Sequence, residues 1–295
     1  MNLLDMMMDL NKMEAKGVKI ILGEVGAGKT TFIKDMPKPA LFIPVGNDYG
    51  FKMLTEHGFK AVPSVKTVRD EQGRIVKRAI PILCEALESL LKNDMGFKSI
   101  AIDAISTLNE IAEAEIKEVT GKRPDWDGWA AIKTSMTRVF DLCEQLAEKG
   151  MEVALISHET VRSYTDSYTG ETMSSILPAM TESTAKRFIK NADALVYLKV
   201  MPDPDDKTKV QRVGIVGGHP IIPTKLRNAH SLSFDNLHFQ NLTYGKLLRL
   251  MEIDNISKLD DLEYDEFETE MTEDGAKHKS KSKKAKKSSD DDLFE

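Results

Sequence analysis

Cysteine is nearly absent: the 295 residues hold two, Cys84 and Cys143. They lie far apart in stretches of helical periodicity and show no metal-ligand spacing. Buried free thiols in a reducing compartment are expected, and a disulfide scaffold or zinc module is excluded. No run approaches the roughly 20 apolar residues that a membrane-spanning helix needs. The opening MNLLDMMMDLNKME has no basic leader or small-residue cleavage site and carries Asp5 and Asp9, so no secretory signal is expected. Excess positive charge is also missing. A formal net charge of −6 argues against a globally basic coat for nucleic acid, while leaving room for a local basic channel.

What is present is enough apolar material for one sizeable core, 41% of the chain against 30% charged. Leu3, Leu4, Met7, Met8 and Leu10 recur at roughly helical spacing, which fits a short helix on the core or a packing segment for a neighbouring subunit. From Val18 onward, short apolar runs alternate with amphipathic stretches. Val18–Leu22 reads as a buried strand, and a helix is expected to begin near Lys29. Ala40–Ile43, Ser99–Asp103, Glu152–Ser157 and Ala194–Leu198 read as further strands, with helices over residues 80–92 and 128–149. The turn Pro202–Asp206 and the run Lys209–Ile215 predict a terminal hairpin. Together these predict an α/β fold: a mainly parallel twisted sheet, helices on both faces and an antiparallel edge hairpin. Residues 1–250 would form this core. Residues 251–295 carry an acidic block, then lysine and serine, then Asp290-Asp291-Asp292-Leu293-Phe294-Glu295, and predict a disordered tail.

Gly23-Glu24-Val25-Gly26-Ala27-Gly28-Lys29-Thr30 fits G-x-x-x-x-G-K-[ST] in full, between a predicted strand and a predicted helix. The glycines let backbone N–H groups converge on phosphate oxygens, and a helix N-terminus adds a favourable dipole. With Thr31, the segment is expected to cradle ATP. Lys29 would reach the β- and γ-phosphates, and Thr30 would hold Mg²⁺ through its hydroxyl. Asp103, at the end of an apolar strand, is expected to lie beside the loop strand and hold Mg²⁺ through water; the alternative is an Asp capping the next turn. Residue 104 is Ala, where the other main subclass of such enzymes has Glu. The base that activates water is therefore expected at the end of a neighbouring strand. In Pro44–Gly50 the only carboxylate is Asp48, which equally suits a turn-forming Asn-Asp pair.

The ordered set GEVGAGKTT, FKSIAIDAIST, DWDGW, ALISHE, ILPAM, NADALVYL and PTKLRN resembles the RecA-core P-loop ATPases of bacteriophages, including the single-strand-annealing and recombination proteins built from that core alone. The resemblance spans roughly residues 17–250. It implies a RecA-like core that hydrolyses ATP in the cytoplasm of a bacterial host. It also implies that His158 senses the γ-phosphate and couples it to a DNA-binding loop. That loop, Glu159 to Met180, carries Arg162, Tyr164 and Tyr168, residue types that hold backbone phosphates and stack on the bases of single-stranded DNA. Lys225 and Arg227 match a K-x-R pair that related proteins insert into the neighbouring subunit's nucleotide site, which implies a homo-oligomeric ring or filament. The chain departs from the family at Pro44-Val45, where an acidic residue commonly stands.

The lysines from Lys277 to Lys287 suit either a DNA-binding arm held by counterion release or a solvated tail. The closing DDDLFE is similar in character to the acidic, apolar-tipped tails of bacterial single-strand-binding proteins, making such a protein a candidate partner. The function expected from these readings is an ATP-dependent, single-strand-DNA-binding recombination or annealing protein. The alternatives are an ATPase motor or helicase accessory on the same core, and a nucleotide-driven assembly switch with little hydrolysis.

Overall fold

The computed structural model describes residues 17–47, 50–165, 170–203, 206, 208–219, 221–262, 267–270 and 277–280. The predicted N-terminal helix, Asp48, Tyr168 and most of the predicted tail lie outside these residues.

Strand β1 (Val18–Gly23) leads through the glycine-rich loop into helix α1 (Lys29–Phe32). This helix has four residues and passes into a 3₁₀ turn, Ile33–Asp35, because Pro37 and Pro39 lack the N–H groups a longer helix needs. Next come β2 (Ala40–Pro44), β3 (Phe59–Ala61), a small ribbon of β4 (Val68–Arg69) and β5 (Ile75–Lys77), and α2 (Ala79–Lys92). Strand β6 (Ser99–Asp103) runs directly into α3 (Ile105–Thr120), followed by α4 (Trp126–Glu148) and β7 (Glu152–Ser157). A hairpin of β8 (Glu159–Thr165) and β9 (Thr172–Pro178) precedes α5 (Glu182–Asn191), β10 (Ala194–Pro202) and β11 (Val210–Val216). The core closes with β12 (Lys225–Leu226), β13 (Leu237–Gln240) and α6 (Tyr244–Glu252), and a separate ribbon pairs β14 (Phe267–Glu270) with β15 (Lys277–Ser280).

The central sheet has nine strands in the order β13-β11-β10-β1-β7-β6-β2-β3, with β12 paired to β10. From β10 to β3 all pairings are parallel, and β11, β12 and β13 add antiparallel ones. The mainly parallel α/β sheet with an antiparallel edge is thus the fold found. β1, β2, β6 and β7 are buried at every position, as near-continuous apolar strands covered on both faces should be. One core packs α2, α3, α4 and α5 on one face through residues such as Leu83, Leu108, Phe140 and Phe188. On the other face α1, β13 and α6 gather Phe32, Phe239, Leu247 and Leu250. Packing continues past residue 250, where Ile253 and Leu259 are buried.

Two expectations are corrected. β6 does not lie beside β1: β7 stands between them, pairing with both. And the polar segment after His158 is an antiparallel hairpin over most of its length, in register from Glu159–Pro178 to Thr165–Thr172. Its Thr, Val and Tyr residues favour strands, but alternation is hidden because its outer part faces solvent on both sides.

At the end of the sheet away from the phosphate loop, Lys19 is 2% exposed and pairs with Glu152 at 2.5 Å, while the Tyr244 hydroxyl donates to the same carboxylate oxygen at 2.9 Å. Burial, then the Glu152 carboxylate, pushes the Tyr244 phenol well above its ordinary pKa, so it stays a donor. Lys19→Met would strand Glu152 without its cation. It is expected to cost about 3–5 kcal/mol of stability in denaturant unfolding, because one charge is left buried and uncompensated.

Candidate functional site

The loop from Gly23 to Gly28 turns at the C-terminal end of β1, where parallel strands leave room for a ligand. Its glycines have structural causes. A Cβ on Gly23 would lie 2.3 Å from the Leu198 carbonyl oxygen of β10. Gly28, the residue before α1, has φ +87°, a left-handed conformation costly for any residue with a Cβ. Because α1 is so short, anion binding here rests on the loop's converging N–H groups more than on a helix dipole.

Lys29 is buried, and its Nζ donates to the carbonyls of Gly23 (2.8 Å) and Glu24 (2.7 Å). The same nitrogen lies 3.4 Å from Nδ1 of His158, just beyond β7. The Thr30 hydroxyl donates to Oδ2 of Asp103 at 2.9 Å. Although β7 separates their strands, the loop reaches across it, so Thr30 and Asp103 meet. Ser106, in the first turn of α3, accepts from the His158 backbone N–H at 3.0 Å. Lys29, Thr30, Asp103 and His158 therefore form one cluster, with His158 tied to the helix that follows Asp103.

Among the described residues no group of three or more His, Cys, Asp or Glu converges as a metal site. A hydroxyl and a carboxylate 2.9 Å apart are nevertheless a hard-oxygen pair that fits Mg²⁺, an ion that keeps several waters and takes further ligands from substrate phosphates. Thr30 and Asp103 would hold it, and when bound it would neutralise charge on the phosphate oxygens.

Lys225 and Arg227 are not part of this cluster. Lys225 pairs with Leu195 at the start of β10, whereas the loop end of that strand is marked by Leu198 opposite Gly23. Three residues of strand separate the levels by roughly 10 Å. Within the chain, Lys225 Nζ donates to the Lys190 carbonyl at 2.8 Å, and Arg227 pairs with Asp193 at 2.6 Å. Burial, then the neighbouring Arg227, lowers the Lys225 pKa.

Three groups beside the cluster escape sequence reasoning. Ser106 carries no motif signal. Glu159 bonds the buried Tyr197 phenol; burial and then that hydrogen bond raise the Tyr197 pKa, so the phenol stays protonated. The third is a groove of about 670 Å³ between the starts of α4 and α5 and the foot of the β8–β9 hairpin. Trp126, Trp129, Lys133 and Arg162 line it, with Glu182 and Lys186 opposite. Its signal was in the sequence: tryptophans three apart share one helix face.

Among solved structures, the flagellar accessory protein FlaH from Methanocaldococcus jannaschii is 11% identical, with 77% of this chain and 88% of that one covered and a TM-score of 0.37. An ATPase from the type III secretion system of pathogenic bacteria is 12% identical, covering 63% of this chain and 51% of that one, also with a TM-score of 0.37. A search of curated proteins finds no match. Residues 15–228 match the profile of an AAA domain, a span that takes in the phosphate loop, Asp103, His158 and the sheet from β1 to β12. The chain therefore belongs to this AAA domain family of P-loop nucleotide-binding proteins.

Proposed function

We propose that the protein hydrolyses ATP with Mg²⁺, binds single-stranded DNA, and uses the two together in phage DNA recombination or strand annealing. The observation that carries the DNA reading is the tryptophan groove. Trp126 is 87% exposed, an unusual position for so large an apolar surface, and Trp129 stands one helical turn away. Lys133 and Arg162 bring positive charge to the same groove, while Lys186 pairs with Glu182 one turn away along α5. Exposed aromatic faces beside cations suit unpaired bases and the phosphates between them, and duplex DNA, whose bases are already stacked, offers them less.

The groove is also connected to the nucleotide cluster. Helices α4 and α5 end where β7 and β10 begin, so their first turns lie toward the phosphate-loop end of the sheet. Arg162 sits in the strand that starts immediately after His158, about 13 Å along an extended chain. The hairpin is pinned at its base: Ala179 N–H donates to the His158 carbonyl at 2.8 Å, and Arg162 donates to the Met180 carbonyl at 3.1 Å. A shift of His158 with the γ-phosphate would thus move the groove's Arg162 wall.

Lys225 and Arg227 act in this reading on a neighbouring subunit's nucleotide in a ring or filament. Their place at the sheet end opposite their own chain's loop supports that role, and the Lys190 and Asp193 partners would be exchanged for phosphate on assembly. Fluorescence anisotropy with labelled oligonucleotides and the full chain tests the DNA reading. Single strands are expected to bind at least about tenfold more tightly than a duplex of the same length, with affinity falling as salt rises. Equal binding of both forms, or none of either, would sink it.

A further inference from the structure

A smaller cleft of about 120 Å³ opens on the other side of the phosphate loop, between α1 and the antiparallel edge of the sheet. Ala27, Gly28 and Phe32 line one wall, Leu198 the floor, and Leu242 the far side. Gly214 of β11 makes that side possible, because a Cβ there would lie 2.6 Å from Leu242 Cδ2. The apolar wall is therefore brought in against the sheet by the absence of a side chain.

Thr31, Lys34, Arg212, Asn241 and Thr243 are the polar residues lining this cleft, and of these Arg212 and Asn241 sit together on the sheet edge. Arg212 points from the exposed face of β11 and lies across the loop: a Cβ on Gly28 would be 2.9 Å from both its Cδ and its Nε. It takes part in no ion pair among the described residues. Asn241 follows β13, and its N–H donates to the Arg212 carbonyl at 2.8 Å, which fixes the two residues side by side.

The cluster gives the bound triphosphate a direction. Lys29, His158 and Asp103 gather on the β7 and β6 side of the loop, where the terminal phosphate and metal belong. The chain of phosphates then has to leave past Gly28 and Thr31, and both residues line this cleft. We infer that the cleft takes the nucleoside half of the bound nucleotide, with the Arg212 guanidinium over the face of the base and the Asn241 amide at its edge. The inference rests on the reading of the loop as an ATP site. A planar guanidinium stacks on aromatic rings, an amide supplies both a donor and an acceptor, and apolar walls bury the ring.

Calorimetric titration of the full chain with ATP and with inorganic tripolyphosphate, both with Mg²⁺, tests it. Arg212→Ala is expected to weaken ATP about tenfold while leaving tripolyphosphate unchanged. Arg212→Lys should lose as much ATP affinity, because it keeps the charge without the planar fork. Equal loss of both probes would mean that Arg212 acts on phosphates, and full recovery by Arg212→Lys would mean that charge alone matters; either overturns the inference. So does unchanged ATP binding in both variants. A wild type that binds tripolyphosphate as well as it binds ATP removes the base subsite alone. A wild type that binds neither probe removes the phosphate-loop reading and the subsite with it.

Discussion

Alanine at Lys29 is expected to lower ATP affinity by at least about 100-fold, because two charge-assisted hydrogen bonds worth about 1.5–3 kcal/mol each are lost from the phosphates. Hydrolysis should fall with it to background. The effect is large because nothing else described at the loop supplies a buried cation; the His158 ring nitrogen lies 3.4 Å from the ammonium. Lys29 also ties the loop to itself through the Gly23 and Glu24 carbonyls, so the variant could lose binding by loosening the loop. Lys29→Met keeps the packed stem and removes the ammonium with these two bonds, so it separates loss of the ammonium from loss of side-chain packing. Equal loss in both variants, with unchanged circular dichroism, assigns the effect to the ammonium. Retained ATP binding in Lys29→Met would refute the role given to the ammonium.

Trp126→Ala is expected to weaken single-stranded DNA binding by about 5- to 150-fold, the range set by about 1–3 kcal/mol for each stacked base. Stability should change by no more than about 0.5 kcal/mol, because an 87% exposed side chain contributes little to packing. That separation makes Trp126 a cleaner probe than Trp129, which packs against the core and would lose stability as well. Trp126→Phe should recover much of the affinity, since an aromatic face remains. If Trp126→Ala binds single strands as the wild type does, the groove is not the DNA site.

The parts of the molecule legible in the sequence are those whose physics is local. The phosphate loop is a continuous segment whose glycines answer to backbone geometry within a few residues. β1, β2, β6 and β7 announce themselves because burial on both faces leaves unbroken apolar runs. Asp103 is legible as a strand-end acid, and its partner Thr30 as the loop's last residue. Their meeting across β7 is not, because sheet order is set by contacts between segments more than a hundred residues apart, such as Val18 with Val153. The hairpin after His158 reads as a loop because its exposed strands show no apolar face to alternate. β13 and α6 pass unnoticed for a related reason: their apolar positions, such as Phe239 and Leu247, gain sense only from the face of the sheet they cover. Arg212 and Asn241 meet only through that same edge. The in-chain partners of Lys225 and Arg227, a helix-end carbonyl and Asp193, likewise depend on how α5 returns to β10.

The central claim is that one nucleotide site and one single-strand groove are coupled through the strand that joins His158 to Arg162. Steady-state ATP hydrolysis by the full chain, with and without a saturating single-stranded oligonucleotide, tests it most directly. The account predicts that single strands raise the rate at least about tenfold, a coupling of about 1.4 kcal/mol or more in the activation barrier, and that Trp126→Ala removes the stimulation while leaving the unstimulated rate in place. A rate that single-stranded DNA leaves unchanged, at concentrations where it is bound, would contradict it.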